Sequence, residues 1–111
     1  MPKYLALFSY EPDAKAAMIE SPADREPAVR AVLDSVGATL EVMYWMFGTH
    51  DGIAIVDAPD SLTMAGISAA ISSTGTITSE THELFTAADV QRILATARTA
   101  REHFARPGAS A

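Results

Sequence analysis

The sequence predicts a single α+β domain of the ferredoxin-like βαββαβ sandwich kind, with an extra C-terminal helix. Three observations carry that prediction. Segments of strand and helix character follow one another as strand, helix, strand, strand, helix, strand, helix. The 111 residues, 49% hydrophobic and 20% charged, suffice for one folded unit and are too few for two. Gly, Pro, Ser or Asp punctuates each break between segments. The domain is expected over residues 1–106, with residues 107–111 as a frayed tail of small, turn-forming residues.

The elements follow in order. Lys3 to Tyr10 is rich in aromatic and aliphatic residues and stops before Glu11-Pro12, as a strand does. Pro12 to Glu20 is Ala-rich and reads as a helical turn or two. Ser21-Pro22-Ala23-Asp24 resembles a fresh helix start, with Ser21 as N-cap, although Pro27 is easier to accommodate if the regular helix begins nearer Asp24. Val29, Val32, Leu33 and Val36 then lie on one helical stripe, and Gly37 ends it. Thr39 to Phe47 is the strongest strand, Gly48-Thr49-His50-Asp51-Gly52 a tight connection, and Ile53 to Val56 a short buried strand. Ala58-Pro59-Asp60-Ser61 opens the next helix, which Gly75 closes. Thr76 to Phe85 alternates as a last strand, and Thr86-Ala87-Ala88-Asp89 opens a final helix whose stripe is Val90, Ile93, Leu94, Ala97, Arg101 and Phe104.

Two helices cover only one face of such a sheet, so the other face should turn polar if it meets water. Strand parity argues otherwise. The first strand sets Tyr4, Ala6, Phe8 and Tyr10 against Leu5, Leu7 and Ser9. The second sets Met43, Trp45 and Phe47 against Leu40, Val42, Tyr44 and Met46, and the third sets Ile53 and Ile55 against Ala54 and Val56. Three strands are thus apolar on both sides, and a monomer would expose more apolar surface than is usual. Self-association, sheet face to sheet face, is the simplest cover; the alternative is that the last helix folds back over that face.

Composition narrows the function classes. Eight basic against fourteen acidic residues leave a net charge of −6, the wrong balance for binding a phosphate backbone, so nucleic acid is not an expected partner. The absence of cysteine excludes disulfides and thiolate catalysis. The N-terminal apolar run is too short for a signal peptide, and no window reaches the roughly 20 apolar residues of a membrane span, so a cytoplasmic protein without a membrane partner is expected. No G-x-G-x-x-G, Walker, G-x-S-x-G or H-E-x-x-H pattern occurs, and no cofactor or metal is expected.

An ordered set of features runs along the chain: the first strand ending in Tyr10, Ser21-Pro22-Ala23-Asp24-Arg25, Gly37, Tyr44-Trp45 with Gly48, Asp51 before a β-branched strand, Asp57-Ala58-Pro59-Asp60, Gly75-Thr76 and Ser79-Glu80-Thr81. In this set the chain resembles the GYD domain family of small bacterial proteins, over residues 3 to about 95. His50 stands where the family's tyrosine is expected, so an imidazole replaces a phenol. The resemblance implies a protomer of a dimeric α/β barrel, whose wider structural relatives include cofactor-free monooxygenases, haem-degrading enzymes, isomerases and plain ligand binders. Function within such a fold lives in the pocket.

Candidate catalytic residues are His50, Asp51 and His82; candidate ligand-binding residues are Tyr10, Tyr44, Trp45 and Glu80. His50 suits a general base or hydrogen-bond donor at a pocket mouth. The alternative is an exposed His50 beside an Asp51 that makes an Asx-type turn before Gly52. Glu80 and His82 share one face of the last strand, where they bind a polar substrate group or shuttle a proton, or else lie solvated at a sheet edge. Tyr10, Tyr44 and Trp45 stack on a planar ligand or pack in the core; Tyr44 and Trp45 point to opposite faces. Two functions follow: a homodimer or larger homo-oligomer with a pocket for an apolar or aromatic small molecule, whether binder or cofactor-independent enzyme, or a structural protein whose apolar face serves only assembly.

Overall fold

A computed structural model of the chain describes residues 1–108. Its elements are β1 (Lys3–Tyr10), α1 (Pro12–Glu20), α2 (Glu26–Asp34), β2 (Thr39–Trp45), β3 (Gly52–Asp57), α3 (Ser61–Ser72), β4 (Ile77–Leu84) and α4 (Ala87–Glu102). The four strands form one sheet in the order β2-β3-β1-β4, with every neighbouring pair antiparallel. This is an α+β architecture with the strand order of a ferredoxin-like sandwich. The central strands β1 and β3 carry the apolar residues, while the edge strand β4 alternates with Thr, Ser, Glu and His, as an edge exposed to water should.

Two helices cover the sheet. Leu33 of α2 and Met64 and Ile67 of α3 are buried against Tyr4, Phe8, Leu40, Met43, Ala54 and Val56 of the strands. Gly37, at φ 75°, ends α2 in the left-handed conformation that glycine adopts without strain, and the Ala38 N–H then donates back to the Leu33 carbonyl at 3.0 Å. Asp60 caps α3 by accepting from the Thr63 N–H at 2.8 Å.

Three local expectations are corrected. Ser21 does not cap a second helix. Pro12 to Glu20 is a full nine-residue helix, Ser21 is its C-cap, and α2 starts only at Glu26, after Asp24 has accepted from the Glu26 N–H. Pro27 thereby falls in the first turn, where no N–H is needed. The second strand stops at Trp45, because the Met46 N–H turns to the Asp51 carbonyl (2.8 Å) and closes the loop that carries the fully exposed Phe47. Simple parity also fails in β2. A bulge between Leu40 and Val42 resets the register, so Leu40 joins Met43 and Trp45 on the helix-covered face, and Val42 and Tyr44 stand opposite.

The last helix is well started, with a capping box in which Thr86 accepts from the Asp89 N–H and Asp89 accepts from the Thr86 N–H. Yet none of its residues is buried; Val90, Ile93 and Leu94 of its apolar stripe are exposed, and so is Phe104, which the stripe was expected to include but which lies past the helix end. The radius of gyration is 18.3 Å, against about 13 Å for a compact chain of this length, and the longest dimension is 62 Å. So α4 projects from the end of β4, across an open groove from Pro2 and Lys3, and does not fold back over the helix-free face. Pro107 and Gly108 make an exposed turn, and the rest of the expected frayed tail, residues 109–111, lies outside the described residues.

Candidate functional site

Strand register sorts the sheet into rows. On the helix-free face one row runs Val42, Ile55, Leu5, His82, and the next runs Tyr44, Ile53, Leu7, Glu80. Each row is apolar over three strands and ends in an ionisable group on β4. Beside it, His82 Nε2 and Glu80 Oε2 lie 3.1 Å apart. That contact holds the Glu80 carboxyl below the usual carboxylate range, with a smaller pull from the His50 imidazole. The His50 ring is oriented by Ser9, whose hydroxyl lies 3.3 Å from Nδ1. At the opposite side of this face, Lys3 bridges Glu41 (2.8 Å) and Asp57 (2.9 Å).

Of the predicted site residues, His50, Glu80, His82 and Tyr44 therefore share the helix-free face, with Tyr44 exposed on it. Tyr10 and Trp45 stand on the other face, each in edge-to-face contact with Phe8. Asp51 belongs to the backbone scaffold. Its N–H donates to the Phe8 carbonyl, one carboxylate oxygen accepts from the Tyr10 N–H at 2.8 Å, and the other meets Lys15 Nζ at 3.2 Å. The Tyr10 N–H is the main cause of an Asp51 pKa below its ordinary value, and Lys15 adds to it. In this way the side chain continues the β1–β3 ladder one step past Gly52, and it positions His50 without facing the same space. Among the described residues no group of three or more His, Asp or Glu converges as a metal site would require.

The helix-covered face holds a cavity of about 80 Å³ between the sheet and helices α2 and α3. The register explains it. The row Met43, Ala54, Ala6, Thr81 has alanines on both central strands, between a large row of Leu40, Val56 and Tyr4 and a second row that contains Trp45 and Phe8. Side chains of α2 and α3 roof the alanines without filling the space over them. The Thr81 hydroxyl borders this cavity and is buried without a hydrogen-bond partner, while Ser68 and Ser79 face each other at 3.4 Å. Tyr10, Arg25 and Ile77 border both the cavity and a neighbouring groove of about 240 Å³ beneath α1.

Arg25, Ser79 and Thr81 were missed as site candidates. A signal was present for two of them, since Ser79 and Thr81 alternate with Glu80 and His82 and so must share the face that helices cover. Arg25 left none, because an arginine just before a helix reads as a solvated charge.

Among the described residues no helix is long and apolar enough to cross a membrane. No curated protein and no solved structure matches the chain. The model of the GYD domain matches residues 4–94, spanning β1 through the first half of α4 and hence the whole sheet with both of its faces, and the chain belongs to the GYD domain family.

Proposed function

We propose that two copies of the chain pack their helix-free sheet faces together as a dimeric α/β barrel, and that the polar end of each face binds a small apolar or aromatic molecule. The observation that carries this reading is the pair of rows ending on Glu80 and His82. Six apolar residues at their centre need cover, and an imidazole and a carboxylate stand at their edge beside His50. Four strands at about 4.8 Å spacing and about seven residues at about 3.3 Å give a face of roughly 19 by 23 Å, about half of the ~800 Å² per partner of a standard interface, so the sheet face is the centre of the interface and not all of it. His50, Glu80 and His82 then supply proton transfer or hydrogen bonding to the bound molecule, as a binder or as a cofactor-independent enzyme of the oxygenase or isomerase type. Sedimentation tests the dimer: a stable 11.8 kDa monomer at micromolar concentration refutes it. Native mass spectrometry tests the pocket, with a co-purifying small molecule expected on the wild type and lost in His50→Ala.

One observation favours a second reading, in which the face serves assembly alone. Asp51, a candidate for catalysis, has both carboxylate oxygens occupied by the Tyr10 N–H and Lys15, so its role is to hold the loop. A dimer that retains no ligand, and whose assembly is unchanged by His50→Ala, supports this reading over the first.

A further inference from the structure

The helix-covered cavity points to a second binding site, separate from the helix-free face and independent of the dimer. At about 80 Å³ it offers several times the ~10–15 Å³ that a single water needs and about half the ~150 Å³ of a cavity that takes benzene, which is room for a short aliphatic chain. Its walls are apolar, with Ala6 and Ala54 as the floor and Met64 and Ile67 on the roof. Water gains little over the alanines, because an ordered molecule wants two to four polar partners and the polar groups stand around the rim of this apolar floor. Two features fix what fits better. The first is the Thr81 hydroxyl, which is buried with no partner and would gain a hydrogen bond from an oxygen at the inner end of a ligand. The second is Arg25 at the mouth. Of the four basic residues that precede α4, Lys3, Lys15 and Arg30 each hold a carboxylate, and Arg25 makes no ion pair among the described residues, although twelve acidic residues lie in the same stretch. A guanidinium left free in so acidic a chain is available for a planar anion.

We infer that this cavity binds a small carboxylic acid with an apolar body and a hydroxyl at its far end. The carboxylate is held by Arg25 at the mouth, the short chain lies over Ala6 and Ala54, and the hydroxyl meets Thr81. Ile77 at the mouth and Thr81 at the inner end are four residues apart on β4, a span of about 13 Å between backbones that leaves room for such a molecule between their side chains.

The test is a titration of the full chain with 4-hydroxybutyrate, followed by the amide NMR signals of Ala6, Ala54, Ile67 and Thr81. Saturable shifts at these residues are expected. Arg25→Gln, a change at the half-buried residue just before α2, should weaken binding roughly tenfold, the usual scale for losing one charge-assisted contact. Thr81→Val should bring the affinity for 4-hydroxybutyrate down to that for butyrate, and Ala6→Leu, which fills the cavity from its floor, should abolish the shifts with the oligomeric state unchanged. Absence of saturable shifts in the wild type overturns the inference. So does binding that is indifferent to Arg25→Gln, or binding that persists in a folded Ala6→Leu chain. Shifts confined to Leu7, Ile53 and Tyr44 also overturn it, since they would place the ligand on the helix-free face and leave the dimer reading standing.

Discussion

Gly52 is where the sheet is least tolerant of an added atom, and Gly52→Ala measures how tightly the Phe8 ring is held. A Cβ built at Gly52 would overlap the Phe8 ring tip, approach its Cε2 to 2.7 Å and stand 2.9 Å from the Tyr44 carbonyl oxygen. Phe8 is buried between edge-to-face contacts with Tyr10 and Trp45, so its ring cannot swing aside without losing both. Gly52 does not occupy the left-handed region, and with open space above it alanine would stabilise the chain by about 0.4–1 kcal/mol through reduced unfolded-state entropy. Overpacking of a core typically costs about 1–3 kcal/mol. The expected net effect is a loss of about 1–2 kcal/mol, read by urea unfolding at one fixed protein concentration with an unchanged m-value. In a Phe8→Leu background the shorter side chain frees most of that space, and the same substitution should cost under about 0.5 kcal/mol, a coupling of about 1 kcal/mol in the double-mutant cycle. A single Gly52→Ala that is neutral or stabilising refutes the reasoning. An equal loss in both backgrounds refutes the role of the ring and leaves the Tyr44 carbonyl as the obstacle.

Four further outcomes are expected. Ile53→Glu, in the middle of the helix-free face, should convert a dimer into a folded monomer by sedimentation with its far-UV circular dichroism retained. Asp51→Ala should lower stability by about 1–2 kcal/mol at pH 7, because a half-buried Tyr10 N–H loses its charged acceptor. Since the folded Asp51 carboxyl titrates below the ordinary value of about 3.9, that difference is complete above this pH and shrinks as pH falls through the lower folded value; a pH series of unfolding curves checks it, and a difference that grows on acidification would contradict it. His82→Asn should let the Glu80 carboxyl rise toward its ordinary pKa, followed by its NMR chemical shift, with no change in the fold of this exposed pair. Thr86→Ala should lower hydrogen-exchange protection throughout α4 while the melting midpoint of the sheet stays where it is, because α4 buries nothing whose loss would be shared with the core.

The fold was legible wherever a local signal and the tertiary demand agreed. The stop at Gly37, the caps at Asp60 and Thr86, and the apolar character of β1 and β3 each state in sequence what the structure does with them. Parity predicted the double-sided sheet correctly for β1 and β3 and misplaced Leu40 in β2, since a bulge is a register event between strands and leaves no mark on either strand alone. Ser21 was misread for a related reason: its residue type suits a cap at either end of a helix, and only the length of α1 decides which. At the site, the adjacency of Glu80 and His82 was readable from a two-residue spacing. The cavity was not, because it arises where Ala6 and Ala54, 48 positions apart in the chain, come to lie side by side between rows of larger residues.

The two faces divide the chain's hydrophobic content into different tasks. On the helix-free face the central side chains are Leu and Ile, long enough to reach a flat partner surface, and the polar groups stand at the edge, so the face is suited to being covered. On the helix-covered face the corresponding central row is two alanines, and the polar groups that border the resulting space include one buried hydroxyl without a partner and one guanidinium without a carboxylate. A core optimised for stability alone would place larger side chains at positions 6 and 54, because each missing methylene forfeits both transfer energy and packing contacts. If Ala6→Leu raises the stability of the chain, the cavity is room that stability did not require, and its retention is then accounted for by occupancy. If the substitution destabilises through overpacking, the space is too small for a ligand body, and the helix-free face is left as the one proposed site for a small molecule.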